Sequence, residues 1–287
     1  PIYWTGVVTV DTPITVNTPF TESPEGQNIT ATSIALKAGG ELTLQDGARL
    51  INGIPGSDGD APERLAFTMT GGELTLGGGT YAGDGINASI NAKSVNISGG
   101  TVDITGKDTA NNWYQAAQMG GYRGLTVSGG IVNMNSYSQL FGGGETGLQI
   151  TGGTVNMLGA VSGSGIGNTA AHIMFGGAGD NLIAGTAAIN VGSATDTGYG
   201  VMTTGAKVNM TGGSINVQKG ELLLQPDVNN NTGSANITYA GNATGAFNQT
   251  GGTVTIADAG TMTLNKGMTY TLGAGGTLTN DGTIQLN

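Results

Sequence analysis

The sequence predicts an all-β protein, a right-handed parallel β-helix (β-solenoid) with roughly three strands to each rung. A motif of two glycines followed by alternating apolar residues recurs as Gly39-Gly40-Glu41-Leu42-Thr43-Leu44, Gly71-Gly72-Glu73-Leu74-Thr75-Leu76 and Gly99-Gly100-Thr101-Val102-Asp103-Ile104. Glycine pairs return at Gly129-Gly130, Gly152-Gly153, Gly212-Gly213, Gly251-Gly252 and Gly275-Gly276. The first glycines are 32, 28, 30, 23, 60, 39 and 24 residues apart, spacings typical of stacked units that bury their apolar faces only against one another. Near the C-terminus Thr253-x-Thr255, Thr261-x-Thr263, Thr269-x-Thr271 and Thr277-x-Thr279 fall 8 residues apart, so three such faces make the 24-residue step from Gly251 to Gly275.

Residues 1–30 form a strand-rich segment, with Val7-Val8-Thr9-Val10 and Ile14-Thr15-Val16 alternating and Tyr3 and Trp4 ahead of them. The array occupies 31–287. Within it, Phe67-Thr68-Met69-Thr70, Val95-Asn96-Ile97-Ser98 and Leu125-Thr126-Val127-Ser128 each lead into a glycine pair. Each unit thus reads as a short strand, a sharp bend and a second strand, with glycine supplying positive φ and the hydroxyl free to satisfy a turn amide. The expected core columns are Leu42, Leu74, Val102, Val132, Val155, Ile215, Val254 and Leu278, with Leu44, Leu76, Ile104, Met134, Met157, Val217 and Ile256 beside them. Between them an outward column of Thr43, Thr75, Asp103, Asn133, Asn156, Asn216, Thr255 and Thr279 suits a polar ladder. The long step after Gly152 is split by a degenerate copy, Gly185-Thr186-Ala187-Ala188-Ile189-Asn190-Val191. Inserted loops are expected near 106–123 and 158–184. The final strands still alternate at Ile284-Gln285-Leu286-Asn287, and neither terminal segment reads as a polar cap.

Composition narrows the function. With 55 glycines but no G-X-Y triplet the chain is not collagen, and 37% apolar residues set it apart from a disordered glycine-rich tract. A net charge of −10, with nine Lys and Arg spread singly, offers no basic stripe for nucleic acid or an anionic membrane. No apolar run reaches the ~20 residues of a membrane span. Cysteine is absent, so stability must come from the core rather than from disulfides. Pro1 opens the sequence with no charged n-region or apolar h-region, so any signal peptide is expected to have been removed or never included.

The units Ile97-Ser98-Gly99-Gly100-Thr101-Val102-Asp103-Ile104, Ile150-Thr151-Gly152-Gly153-Thr154-Val155-Asn156-Met157 and Met210-Thr211-Gly212-Gly213-Ser214-Ile215-Asn216-Val217 resemble those of bacterial surface β-helix proteins, the autotransporter passengers and two-partner-secreted adhesins. The likeness covers roughly residues 30 to 287. It implies an extracellular protein of the bacterial cell surface, used for adhesion, aggregation or matrix (biofilm) building. The membrane barrel or secretion cap of those families has no counterpart in these residues.

No catalytic constellation is expected, and no cofactor. His172, in Ala170-Ala171-His172-Ile173-Met174-Phe175, is the one histidine, and its apolar setting reads as a packed structural residue. Glu41 and Glu73 take equivalent positions without a basic partner, which suits a solvated face better than a glycosidase pair. No metal site is assigned. The nearest approach is the acidic loop Asp58-Gly59-Asp60 with Glu63, which lacks the remaining ligands of a calcium loop. Trp113, Tyr114 and Tyr122 are the candidates for stacking on a glycan, since loops on a rigid scaffold carry recognition.

The expected function is therefore a non-enzymatic structural or adhesive protein that associates with itself head to tail into fibres or matrix. Tyr3, Trp4, Leu278, Ile284 and Leu286 are the expected contacts, because a heterologous contact that does not close yields an open filament. A carbohydrate-binding module acting on host or matrix glycans is the alternative, and a polysaccharide lyase or hydrolase a more distant one. Neither nucleic acid nor membrane insertion is expected.

Overall fold

The computed structural model describes residues 5–16, 30–51, 65–78, 86–108, 114–144, 146–160, 170–176, 179–204, 207–226 and 244–287. These residues hold strands and no helix. In chain order the strands are β1 (Thr5–Val10), β2 (Pro13–Val16), β3 (Thr30–Leu36), β4 (Glu41–Leu44), β5 (Ala48–Ile51), β6 (Ala66–Gly77) and β7 (Ile86–Thr105). Next come β8 (Lys107–Asp108), β9 (Tyr114–Met134), β10 (Ser138–Gly142), β11 (Leu148–Met157), β12 (Ala171–Phe175), β13 (Asn181–Ile183) and β14 (Ala188–Val191). The last are β15 (Gly198–Thr204), β16 (Lys207–Pro226), β17 (Gly245–Leu264), β18 (Met268–Leu272), β19 (Thr277–Asn280) and β20 (Thr283–Leu286). Apart from the short antiparallel contact of β8 with β9, the pairings among the described residues are parallel.

Seven strands close a ring. β9 pairs with β10, β10 with β12, β12 with β15, β15 with β16, β16 with β14, β14 with β11, and β11 returns to β9. The architecture is accordingly a closed parallel barrel of seven strands with further strands outside the ring. This corrects the expected right-handed parallel β-helix: the chain is all-β, but it is not a solenoid built of three-stranded rungs. The autotransporter-like, adhesin and extracellular expectations rested on that solenoid, and the observed fold gives them no support.

The physical reason for the difference lies in β9 and β16, of 21 and 20 residues. Each turns at glycines of positive φ, Gly130 at +78° in β9 and Gly213 at +74° in β16, and resumes pairing beyond them, so a single strand serves several neighbours. The first part of β9 pairs with β10 and its later part with β11, while successive parts of β16 meet β13, β14 and β15. Alternation along a sequence reports that strands lie parallel and in register. It does not report where the ladder of pairings returns to, so a stack and a ring leave the same apolar pattern.

That register carries the core. Paired positions run Ile14, Leu42, Leu74, Val102, Val132, Val155, Ile189, Ile215, Val254 and Leu278. Beside them stand Leu44, Leu76, Ile104, Met134, Met157, Val191, Val217 and Ile256. All of these except Ile14 and Leu278 are buried, and each buried aliphatic side chain stabilises the fold by about 1.5–3 kcal/mol. The degenerate copy at 185–191 takes its place in both columns through Ile189 and Val191.

The bend between the paired half-strands needs both glycines. Gly100 has φ +84°, and a Cβ built there would lie 2.5 Å from the Gly72 carbonyl oxygen of the preceding unit. A Cβ on Gly99 would lie 2.6 Å from the Thr70 carbonyl oxygen. The hydroxyl before the pair acts differently from expectation. Ser98 Oγ donates to the Met69 carbonyl at 3.3 Å and Ser128 Oγ to the Ile97 carbonyl at 3.4 Å, tying one unit to the last rather than satisfying a turn amide.

Candidate functional surfaces

The outward column becomes a hydrogen-bonded ladder. Asn216 Nδ2 donates to Asn190 Oδ1 at 3.0 Å, Asn190 to Asn156 at 3.0 Å, Asn156 to Asn133 at 2.8 Å, and Asn133 to Asp103 Oδ1 at 2.8 Å. Every amide donates toward the N-terminal side, and the run ends on a carboxylate that only accepts. This geometry suits a stabilising device of the sheet, with its polar groups spent on one another. Threonines continue the column at both ends, as Thr15, Thr43 and Thr75 before Asp103 and as Thr255 and Thr279 after Asn216.

A second row lies on the outer side of β7, β9, β10 and β12. Ser89, Gln118, Gln139 and His172 occupy paired positions that alternate with the core residues Ile90, Met119, Leu140 and Ile173. All four are buried even so. Gln118 Nε2 donates to Asn91 Oδ1 at 3.2 Å, and His172 Nε2 lies 3.1 Å from Thr203 Oγ1. Burial disfavours the imidazolium and lowers the His172 pKa from 6.5 to about 4, so the ring is neutral at pH 7. This residue is packed as the sequence suggested. The burial of its whole row was not legible, because outward positions of a strand are ordinarily wet.

The third surface is the edge formed by the last strands. β18, β19 and β20 pair with β17, and among the described residues their other edges meet no strand. Apolar side chains stand at this edge: Leu286 is 76% exposed, Leu272 48% and Ile284 37%, while Leu278 is half-buried against the core. Beneath it the core closes on polar groups. Gln249 is fully buried, with Nε2 donating to the Gly252 carbonyl at 3.0 Å and the Thr277 carbonyl at 2.8 Å, and the Tyr270 hydroxyl donates to its Oε1. Tyr270 also stacks on Phe247, with ring centroids 5.4 Å apart and planes 10° from parallel. Burial pushes its phenol pKa up to about 12. Edge strands that present unpaired amides and apolar side chains are templates for further strands.

Tyr3, Trp4, Asp58, Asp60, Glu63 and Trp113 lie outside the described residues. Tyr114 opens β9, opposite Asp108 of β8, so its backbone is placed as strand. Tyr122 follows within the same strand at 37% exposure, with its ring edge-on to Phe141 at 5.9 Å and 74°, and burial raises its phenol pKa. Of the proposed assembly contacts, Leu278, Ile284 and Leu286 do share one edge, and Leu272 joins them. Residues 106–123 contain β8 and the start of β9, while 158–184 contain β12 and β13.

Sequence reasoning missed Asn181. It occupies a core column between Leu148 and Val208, is buried, and accepts the Leu148 backbone N–H at 2.9 Å through Oδ1. A polar residue opening an otherwise apolar strand, Asn181-Leu182-Ile183, was the available signal. No family model, no curated protein and no solved structure matches this chain.

Proposed function

We propose that this is a structural protein that associates with itself end to end through the edge of β18, β19 and β20. The observation that carries the reading is the combination, at one edge, of three strands that among the described residues pair on one side only and the exposed Leu272, Ile284 and Leu286. Monomeric proteins blunt such edges with charge, proline or a bulge. Here β18 and β20 carry no charged residue and no proline.

The test compares the wild type with Leu286→Asp by sedimentation and by electron microscopy of concentrated protein. Leu286 is 76% exposed, so the substitution removes nothing from the core. Concentration-dependent assemblies in the wild type that are lost in the variant support the reading. Single chains at every wild-type concentration, or equal assembly in the variant, overturn it.

A further inference from the structure

We infer that the β18 and β19 part of the β18–β20 edge meets the β1–β2 edge of a second copy, docked parallel and in register so that Ile14 continues the column ending at Leu278. This inference rests on self-association as proposed above and specifies the surface that completes it. β1 pairs with β3 and β2 with β4, and among the described residues the other edges of β1 and β2 meet no strand.

Continuity of the columns selects this edge. The position that starts at Ile14 of β2 runs through the chain to Leu278 of β19. Val10 of β1 likewise heads the column Leu36, Met69, Ile97, Val127, Ile150, Ile183, Met210 and Gln249, which ends at Leu272 of β18. A second copy displaced along these columns therefore sets Ile14 on Leu278 and Val10 on Leu272, repeating the contact each strand already makes inside the chain. The outward column agrees, since Thr279 would meet Thr15, extending a threonine row found at both ends of the asparagine ladder. Threonines side by side on neighbouring strands are a favourable pair. A two-fold contact would instead lay β19 antiparallel on its own copy, a pairing that these columns nowhere use. The head-to-tail contact is heterologous and does not close, so the product is an open filament.

The chain has no cysteine, which makes cross-linking clean. Thr15 and Thr279 are both exposed, and neighbouring paired strands lie ~4.8 Å apart, within the ~4.4–6.8 Å that a disulfide spans between Cα atoms. Mild oxidation of Thr15→Cys/Thr279→Cys is expected to give a non-reducing ladder of dimers, trimers and longer species. Mixing the two single variants is expected to give dimers and nothing larger. Dimers from Thr279→Cys alone would overturn the docking in favour of a tail-to-tail contact while leaving self-association intact. Absence of cross-links in a double variant that still sediments as assemblies would overturn the register. Wild-type protein that sediments only as single chains would overturn the proposed function itself.

Discussion

Replacing Gly100 with alanine separates two costs that the repeated glycine pairs combine, because Gly78 supplies a matched reference. Both adopt left-handed backbone, with φ +84° at Gly100 and +80° at Gly78. Among the described residues a Cβ on Gly78 would meet nothing within 4 Å, whereas one on Gly100 would lie 2.5 Å from the Gly72 carbonyl oxygen and 2.7 Å from the Gly71 carbonyl carbon. Alanine in this backbone region costs about 1–2 kcal/mol, offset by about 0.4–1 kcal/mol from a less flexible unfolded chain. Gly78→Ala should therefore destabilise by about 1 kcal/mol or less. Gly100→Ala carries the same term plus the expulsion of backbone by backbone. Overpacking of that kind adds roughly 1–3 kcal/mol, for a total of about 2–4 kcal/mol. Equilibrium urea denaturation measures both variants, with an unchanged m-value required before the midpoints are compared. Equal losses, within about 0.5 kcal/mol, would refute the claim that successive units pack too closely for a methyl group at the bend.

Two further outcomes follow from buried and laddered polar groups. His172 has its pKa lowered by burial from 6.5 to about 4, so between those values the unfolded chain binds the additional proton. The stability this neutral ring permits is complete above pH 6.5 and is lost as pH falls toward 4, by about 3 kcal/mol at 1.36 kcal/mol per unit. Denaturation at pH 7 and pH 4 should show that loss in the wild type and not in His172→Gln, and equal losses in both would refute it. Asn156 bonds both ladder neighbours, so Asn156→Ala should cost about 1–2 kcal/mol. Thr75→Ala, exposed in the same column, should cost under ~0.5 kcal/mol, and equal costs would show that the ladder adds nothing.

What could be read from the sequence follows from what alternation encodes. Leu42, Leu74, Val102, Val132, Val155, Ile215, Val254 and Leu278 are one column because a side-chain period of two, restarted after each glycine pair, leaves only one register that buries them all. The asparagine ladder was legible for the same reason, as the position between two core residues. Two things were not. Closure of the ring depends on β9 and β16 resuming their pairing beyond each glycine bend, and a glycine pair reads equally well as the end of a strand or as a bend within it. The strands β10, β12 and β15 were hidden because β10 and β15 are buried almost along their whole length and β12 through most of its own, which removes the alternation that marks a strand.

The same reasoning explains why the proposed self-association is placed at the edge of β18, β19 and β20. Inside the array, Leu76 and Val217 are apolar because neighbours on both sides bury them, so their hydrophobicity says nothing about a partner. Leu286 obeys the same pattern with a neighbour on one side only. Its 76% exposure is the part of the pattern that the described chain leaves unused. An isolated exposed leucine needs no explanation. A leucine that continues the column Leu224, Leu264 and Leu286, on a strand whose outer amides are also unpaired among the described residues, needs one that covers both. A soluble ligand could shield the side chain without pairing the amides, and water pairs the amides without shielding the side chain. A strand added in register does both, and that is the contact the proposed self-association would supply.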